Sequence, residues 1–382
     1  MIWNEKRVTV IILSYKSIGT IHRSLRSVCQ QDYPHLEIVV TDDGTANFDE
    51  GQIQQILSRM ARENIESVKI LHSDKNTGTV QNLRRGLDAM SGDYYMTIGA
   101  DDALADPEAI SSLMRYAYLY RWEPLLIAGQ MVMCDEELVP KGYLLSEEDK
   151  EVLRSRDASL LYSTLVFRCC IAAVAALYRC DFPEIVGAYD TSYVYYEDYP
   201  TFLRMARKGI TPVFIDRNIA LHVAGGIANG GNYGELELIK RFHSDRERMY
   251  QQEIRPFLRG QPRRVRTLLK KRRSMLESQF LWSCWPLVDD WGKRKLILQH
   301  PWRLYLSLEK GRNLIEHLRK TAFYAFTLLA LGAEGMFCTQ MRWAVFMVLA
   351  AASSFGMIAC LIYRLWDIWV RLETIWDEGR MY

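Results

Sequence analysis

The chain has 382 residues, with 48 Lys and Arg against 46 Asp and Glu, and this net charge of +2 excludes a general polyanion binder and argues against nucleic acid as a partner. With 49% hydrophobic and 25% charged residues it is no disordered chain, and its length allows one large domain with an appendage, or two domains. Its eight cysteines (Cys29, Cys134, Cys169, Cys170, Cys180, Cys284, Cys338, Cys360) form no CxxC pair and no metal-finger spacing, so they read as reduced thiols of a cytosolic compartment.

At the N-terminus, Glu5, Lys6 and Arg7 precede an apolar run of only six residues, Val8 to Leu13, too short for a signal-peptide core, and the first domain is expected to stay unexported. The run itself reads as a buried strand. Ile21, Leu25, Val28 and Cys29 then share one helical face. Further strands are expected at Leu36 to Thr41, Val68 to His72 and Tyr94 to Ile98. Between the last two, Val80, Leu83, Leu87 and Met90 recur at helical spacing, and Gly92 supplies the stop. Asp106-Pro107-Glu108 is expected to start another helix, with Asp106 as N-cap and Pro107 at its first position. Alternation of this kind as far as about Ile215 implies an α/β domain with a mostly parallel sheet flanked by helices.

Two of these strands end in paired aspartates: Val39-Val40-Thr41-Asp42-Asp43-Gly44 and Tyr95-Met96-Thr97-Ile98-Gly99-Ala100-Asp101-Asp102. Pairs at the C-terminal ends of neighbouring strands gather carboxylates at one rim of a sheet, where α/β proteins bind ligands. Such acids repel one another unless a cation, a set of donors or water balances them, and a divalent ion holding a diphosphate is the natural candidate. Taken singly, each pair has a plainer reading. Asp-Gly is a favoured turn, and Asp101-Asp102 could open a polar loop. Asp198, two residues before Pro200, is likewise well placed to be a helix N-cap.

After Gly234 the character changes. From Arg259 to Arg273 there are eight Lys or Arg residues and no acid, interleaved with Val265, Leu268 and Leu269, and Trp282, Trp285, Trp291 and Trp302 follow. This composition suits the anionic headgroup layer of a membrane, or else a solvated basic helix packed on the first domain. Ala344 to Ile362 is nineteen residues without a charge. That is about 28 Å of helix, close to the hydrocarbon thickness of a bilayer. Tyr363, Trp366 and Trp369 lie just beyond it. Thr321 to Ala333 is a shorter apolar stretch before Glu334 and Gly335, and the two are read as a transmembrane hairpin, the alternative being a buried helical pair. Arg312, Arg319 and Lys320 before the pair and Arg364 and Arg371 after it place both termini in the cytoplasm. The expected organisation is a catalytic domain over 1–235, a basic Trp-rich helical region over 236–318, the hairpin over 319–366 and a cytoplasmic tail over 367–382.

Several short motifs occur together in order: Val10-Ile11-Ile12-Leu13-Ser14-Tyr15-Lys16, Thr41-Asp42-Asp43-Gly44-Thr45, Asn76-Thr77-Gly78, Gly92-Asp93-Tyr94-Tyr95, Ala100-Asp101-Asp102 and Glu197-Asp198-Tyr199. Over roughly residues 8 to 225 this order and spacing resembles the family 2 glycosyltransferases, whose fold is GT-A, a Rossmann-like α/β arrangement. The resemblance implies that Asp43 receives the base of a nucleotide sugar, in a pocket lined by Leu13, Ser14 and Tyr15. It further implies Asn76 and Gly78 as nucleotide contacts, with Arg84 as a candidate beside them. It implies Asp101 near the ribose, Asp102 on a Mg²⁺ or Mn²⁺ ion that bridges the diphosphate, and His222, in His222-Val223-Ala224-Gly225-Gly226, on phosphate or metal. The Gly225 to Gly234 stretch reads as a flap over bound donor. Asp198 is implied as the general base, with Glu197 beside it.

Two departures stand out. Gly99 occupies the place of a third acid, and Leu83-Arg84 stands where Arg-Asn is usual, with Asn82 and Arg85 beside them and Arg84 or Arg85 as possible substitutes. The expected function is an inverting, metal-dependent transfer from a nucleotide sugar, with a UDP-sugar as the expected donor, to a hydroxyl of a lipid-linked or polysaccharide acceptor. The expected place is the cytoplasmic membrane, in cell-envelope glycan synthesis, with the oligomeric state open. Two alternatives are a sugar-phosphate nucleotidyltransferase and a non-catalytic membrane scaffold of a polysaccharide-assembly complex.

Overall fold

An apolar run without polar alternation belongs in the middle of a sheet, and Val8–Ser14 (β1) is buried at every position except half-buried Leu13. The computed structural model describes residues 5–120, 123–223, 236–260, 263–289, 291–293 and 296. The chain divides into Met1–Leu304 and Tyr305–Tyr382, and the described residues lie in the first unit. After β1 come α1 (Ile21–Cys29), β2 (Leu36–Asp42), α2 (Glu50–Met60), β3 (Ile65–His72), α3 (Thr79–Ala89), β4 (Tyr94–Gly99) and β5 (Ala103–Leu104). Then follow α4 (Ala109–Leu119), β6 (Leu126–Cys134), β7 (Pro140–Tyr143), α5 (Glu147–Ser155), α6 (Ala158–Leu165), β8 (Ala176–Arg179) and α7 (Phe182–Val186). The last described elements are α8 (Tyr199–Arg207), β9 (Val213–Val223), α9 (Leu236–Met249) and α10 (Arg263–Cys284), the basic segment.

The strands form one sheet in the order β3-β2-β1-β4-β8-β6-β9-β5, with β7 paired to β6. β1, β2, β3, β4, β6 and β9 run one way while β5, β7 and β8 run the other, so the expected mostly parallel sheet is a mixed one. Antiparallel neighbours need only a tight connection. Asp135 makes one between β6 and β7, its carboxylate accepting the Glu137 N–H at 3.2 Å and the Val139 N–H at 2.8 Å. β8, four residues long, fits antiparallel between β4 and β6.

Successive strand residues face opposite sides. Val10 and Ile12 of β1, with Ile38 and Val40 of β2, meet Leu25 and Val28 of α1, Ile53 of α2 and Leu113 of α4. Ile11, Val39 and Tyr95 face the other way, onto Val80 and Leu83 of α3, Leu161 and Leu165 of α6 and Phe202 and Leu203 of α8. A buried aliphatic side chain stabilises the fold by roughly 1.5–3 kcal/mol, so burial on both faces fixes the register of β1. The helix expected from Asp106 begins later, at Ala109. The Asp106 carboxylate accepts the Glu108 N–H at 2.8 Å and pairs with Arg217 at 2.9 and 3.0 Å, which closes a turn ahead of the helix.

All six described cysteines are unpaired. Among the described residues no helix is long and apolar enough to cross a membrane. The proposed hairpin over 319–366, the 367–382 tail and the Gly225 to Gly234 flap lie outside the described residues.

Candidate active site

The six co-directional strands bring their C-terminal ends to one rim, and the register places Leu13 of β1 opposite Thr41 of β2 and Gly99 of β4. Asp42-Asp43 and Asp101-Asp102 therefore flank the end of β1. Gly44 turns the chain at φ +83°, a region where L side chains cost roughly 1–2 kcal/mol. A Cβ there would stand 2.4 Å from the Lys75 carbonyl carbon and 2.6 Å from the Asn76 nitrogen, so the glycine lets the 75–78 segment close onto the turn.

That approach satisfies Asp43. Its carboxylate accepts the Thr77 N–H at 3.0 Å, the Thr77 hydroxyl at 2.6 Å and the Gly78 N–H at 2.7 Å, with the Arg85 guanidinium at 3.7 Å. Asp42 turns inward and takes the Ser14 hydroxyl at 3.1 Å, the Thr45 N–H at 2.8 Å and hydroxyl at 2.6 Å, and His72 Nδ1 at 3.0 Å. The Ser14 carbonyl in turn accepts the Asp43 N–H at 2.9 Å. Leu13 is half-buried, and its carbonyl accepts the Ala100 N–H at 2.9 Å. Half-buried Tyr15 lies beside Lys16, whose ammonium is 5.1 Å from the ring centroid. Exposed Asn76 accepts the Gly78 N–H through Oδ1 at 3.1 Å. Arg84 faces solvent, and the arginine at the Asp43 turn is Arg85, which also donates to Asn82 Oδ1 at 2.7 Å.

On the other side of β1, buried Asp102 joins β4 to the end of β9. Its Oδ2 lies 2.9 Å from His222 Nδ1, and its Oδ1 accepts the Val223 N–H at 3.0 Å. Burial alone would lower the His222 pKa, but the hydrogen bond and charge of Asp102, with the charge of Asp101, outweigh it and raise the value. The Asp101 pKa is also raised, first by burial and then by the Asp102 charge.

Gly99 gives its place in the sequence a physical meaning. A Cβ there would stand 2.8 Å from Asp101 Oδ1 and 2.9 Å from Asp102 Oδ2, so glycine is what lets both carboxylates pack this close to the end of β4. Two converging carboxylate oxygens fit a hard divalent ion that takes its remaining ligands from phosphate and water. With His222 Nδ1 held by Asp102, that nitrogen is not available to a cation. Among the described residues no group of three or more His, Cys, Asp or Glu side chains forms a metal cage.

Glu197 and Asp198 open α8. Asp198 Oδ1 accepts the N–H of its immediate neighbour, Tyr199, at 2.6 Å, and its backbone is helical at φ −88°, ψ −52°. An ordinary N-cap is extended and reaches two or three residues on, so this carboxylate caps in an unusual way and its second oxygen accepts from no other described residue. Burial, then the Asp198 charge, pushes the Glu197 pKa up to about 8. Burial raises Asp198 as well, with the Tyr199 N–H working against it. Both residues keep partial solvent access, and the Asp198 charge couples the titration of the two carboxyls.

This loop is tied to the Asp43 side of the rim. Gly78, at φ +95°, approaches Val194 so closely that a Cβ would meet Val194 Cγ1 at 2.9 Å and its carbonyl oxygen at 3.0 Å. The cavity of about 170 Å³ nearby lies elsewhere, among Phe167, Tyr196, Tyr199, Tyr250, Leu269 and Arg273, and neither carboxyl of the acid pair lines it.

Residues 9–173 match the family described as Glycosyl transferase family 2. Over those residues, less than half of its length, the chain is similar to the family 2 glycosyltransferases. An "Uncharacterized glycosyltransferase" of Haemophilus influenzae is 27% identical over 214 residues, covering 53% of this chain and 61% of the relative. The Campylobacter jejuni "GalNAc(5)-diNAcBac-PP-undecaprenol beta-1,3-glucosyltransferase" is 24% identical over 168 residues, covering 41% of this chain and 53% of the relative. The matches thus span little more than half of these relatives' own lengths. Among solved structures, the mannosyltransferase PcManGT from Pyrobaculum calidifontis in complex with GDP-Man and Mn2+ superposes at a TM-score of 0.47 with 15% identity, over 80% of this chain and 84% of that one. S. aureus TarS 1-349 in complex with UDP-GlcNAc superposes at 0.43 with 15% identity, over 72% of this chain and 80% of that one. In the matched region Asp42, Asn82 and Arg85 are already named in the sequence motifs or beside them, but their contacts in the site are not specified by motif order. The i, i+3 spacing of Asn82 and Arg85 on α3 was the available signal.

Proposed function

We propose that this glycosyltransferase moves a sugar from a nucleotide donor, UDP-linked in our reading, to a hydroxyl of a lipid-linked or growing glycan, with inversion at the anomeric carbon. The observation that carries this reading is the rim itself. Asp43 and the Asp101-Asp102 pair flank one strand end, while the Glu197-Asp198 loop leans on Gly78 from the Asp43 side.

In this reading the Asp43 turn, backed by Arg85, receives the base of the donor, and Asp101 and Asp102 would hold Mg²⁺ or Mn²⁺. Such an ion supplies charge compensation for the departing nucleoside diphosphate. Asp198, its second oxygen uncommitted among the described residues, accepts the proton of the acceptor hydroxyl. Glu197, held up to about 8, is the member of the pair that keeps its proton near neutrality. Attack directly opposite the leaving group inverts the anomeric carbon.

The membrane side of the proposal has its own support. Phe257, Leu268, Leu287 and Trp291 are exposed apolar side chains in the same stretch of chain as exposed Arg263, Arg264, Arg266 and Lys270, a composition suited to anionic headgroups. The Campylobacter relative, by its name, acts on an undecaprenol-linked glycan. We place the catalytic domain and both termini on the cytoplasmic side. Deleting residues 319–382 is expected to move the protein out of the membrane fraction in high salt, and unchanged sedimentation argues against the anchor.

A panel of nucleotide sugars offered to the purified protein in detergent tests the chemistry. The expected result is donor hydrolysis that needs Mg²⁺ or Mn²⁺, releases nucleoside diphosphate and is fastest with one UDP-sugar. Release of pyrophosphate from a nucleoside triphosphate, or metal-dependent binding with no turnover, overturns the proposal.

A further inference from the structure

The segment just ahead of the acid pair is gripped from two sides. From the donor side come Gly78, in close approach to Val194, and Val80, whose N–H donates to the Val194 carbonyl at 3.4 Å. From the opposite side comes Asp245, in the middle of α9 and only 2% exposed. Its Oδ2 accepts the Val194 N–H at 2.8 Å and the Tyr195 N–H at 2.7 Å. One helix turn earlier, Phe242 stacks on the Tyr195 ring with centroids 4.4 Å apart and planes 10° from parallel. A carboxylate is costly to bury unless donors reach it, and here both donors belong to the strip of backbone that leads into Glu197-Asp198.

We propose that Asp245 is a positioning residue, fixing the 194–195 backbone so that the Glu197-Asp198 pair stands against the donor-side turn. The inference rests on the reading of that pair as the proton-accepting group. Asp245 never touches a reacting atom in this arrangement; its effect passes through two amides. Its charge is a further influence on the pair, adding to burial and the Asp198 charge in holding the Glu197 pKa up. The other titratable groups near the pair are Tyr178 from β8, Tyr189 and Cys169.

The test compares Asp245→Ala and Asp245→Asn with Asp198→Asn in the full chain in detergent. The readouts are UDP binding with Mn²⁺ by calorimetry and metal-dependent hydrolysis and transfer with UDP-glucose and UDP-N-acetylglucosamine. Asparagine keeps an acceptor oxygen for both amides and drops the charge, whereas alanine removes the grip. Asp245→Ala is expected to lose about 10–100-fold in kcat while the Kd for UDP stays within about 2-fold, because the Asp43 end is untouched. Asp245→Asn is expected to recover kcat to within about 5-fold of the parent and to lower the upper apparent pKa of the pH–rate profile.

Unchanged kcat in Asp245→Ala overturns the proposal, as does parallel loss of UDP affinity and kcat, the signature of a general folding role. If Asp245→Ala does not fold, Asp245→Asn decides, and a pH–rate profile identical to the parent's rejects the proposal. Retained transfer in Asp198→Asn instead removes the reading of the acid pair itself. Loss there with an unaffected Asp245→Ala rejects the positioning role alone.

Discussion

Asp198→Asn is expected to bind UDP and Mn²⁺ like the parent and to lose about 10²–10⁴-fold in transfer, the usual contribution of a positioned general base. The substitution separates the two roles this residue holds. An asparagine Oδ1 accepts the Tyr199 N–H as the carboxylate does, so the start of α8 is preserved and only the proton-accepting capacity goes. A pure cap would leave transfer intact. If binding, folding and transfer all fail together, the cap is the role that matters. A second signature follows from linkage. The Glu197 carboxyl sits at about 8 in the folded chain against an ordinary 4.5, so between those values the folded protein holds a proton that the unfolded chain has released. Stability therefore falls as pH rises across that window. Asp198→Asn removes the negative neighbour that follows burial among the causes, so the Glu197 pKa comes down and the fall becomes shallower. Melting temperatures should show the variant gaining on the parent from about pH 5 to about pH 8, and a gap that stays constant speaks against the coupled pair.

The sequence carried the first half of this architecture unusually well because β1, β2 and β4 are predominantly apolar, β-branched or aromatic runs bounded by polar residues, and their observed limits lie within a residue of the expected ones. Burial on both faces leaves such runs no other place in the fold. The β6 to β8 region was not legible for the opposite reason. Gly129 and Gln130 interrupt the pattern, and Gln130 is buried because its amide bonds the Leu145 backbone at 3.0 Å in both directions, a partner that local spacing cannot reveal. The site divides in the same way. Paired acids at strand ends announced the rim, yet the donors that hold the Asp43 carboxylate are 34 and 35 residues away, and Asp245 meets amides 50 and 51 residues back. In the run Arg241-Phe242-His243-Ser244-Asp245-Arg246-Glu247-Arg248, that aspartate looks like one more charge on a solvated helix. Gly99 was read as a missing ligand. The structure shows that a side chain there would collide with the Asp101 and Asp102 carboxylates.

Asp102→Ala is expected to abolish the stimulation of turnover by Mg²⁺ or Mn²⁺, a loss of about 10²–10³-fold if cation-held charge on the leaving group is worth several kcal/mol. The residue has a structural duty as well, which has to be subtracted. Its Oδ1 satisfies the buried Val223 N–H, and a buried donor left without an acceptor costs about 1–3 kcal/mol, enough to lower the melting temperature of the alanine variant. Asp102→Asn separates the effects. Its amide oxygen still serves Val223, so most of the stability returns, while the charge that a divalent ion needs stays absent. The expected pattern is a folded Asp102→Asn protein that binds UDP without metal enhancement and turns over at the metal-free rate. Full activity of either variant in the presence of a chelator would remove the cation from the mechanism. Restored metal stimulation in Asp102→Asn would shift the ligand role to Asp101.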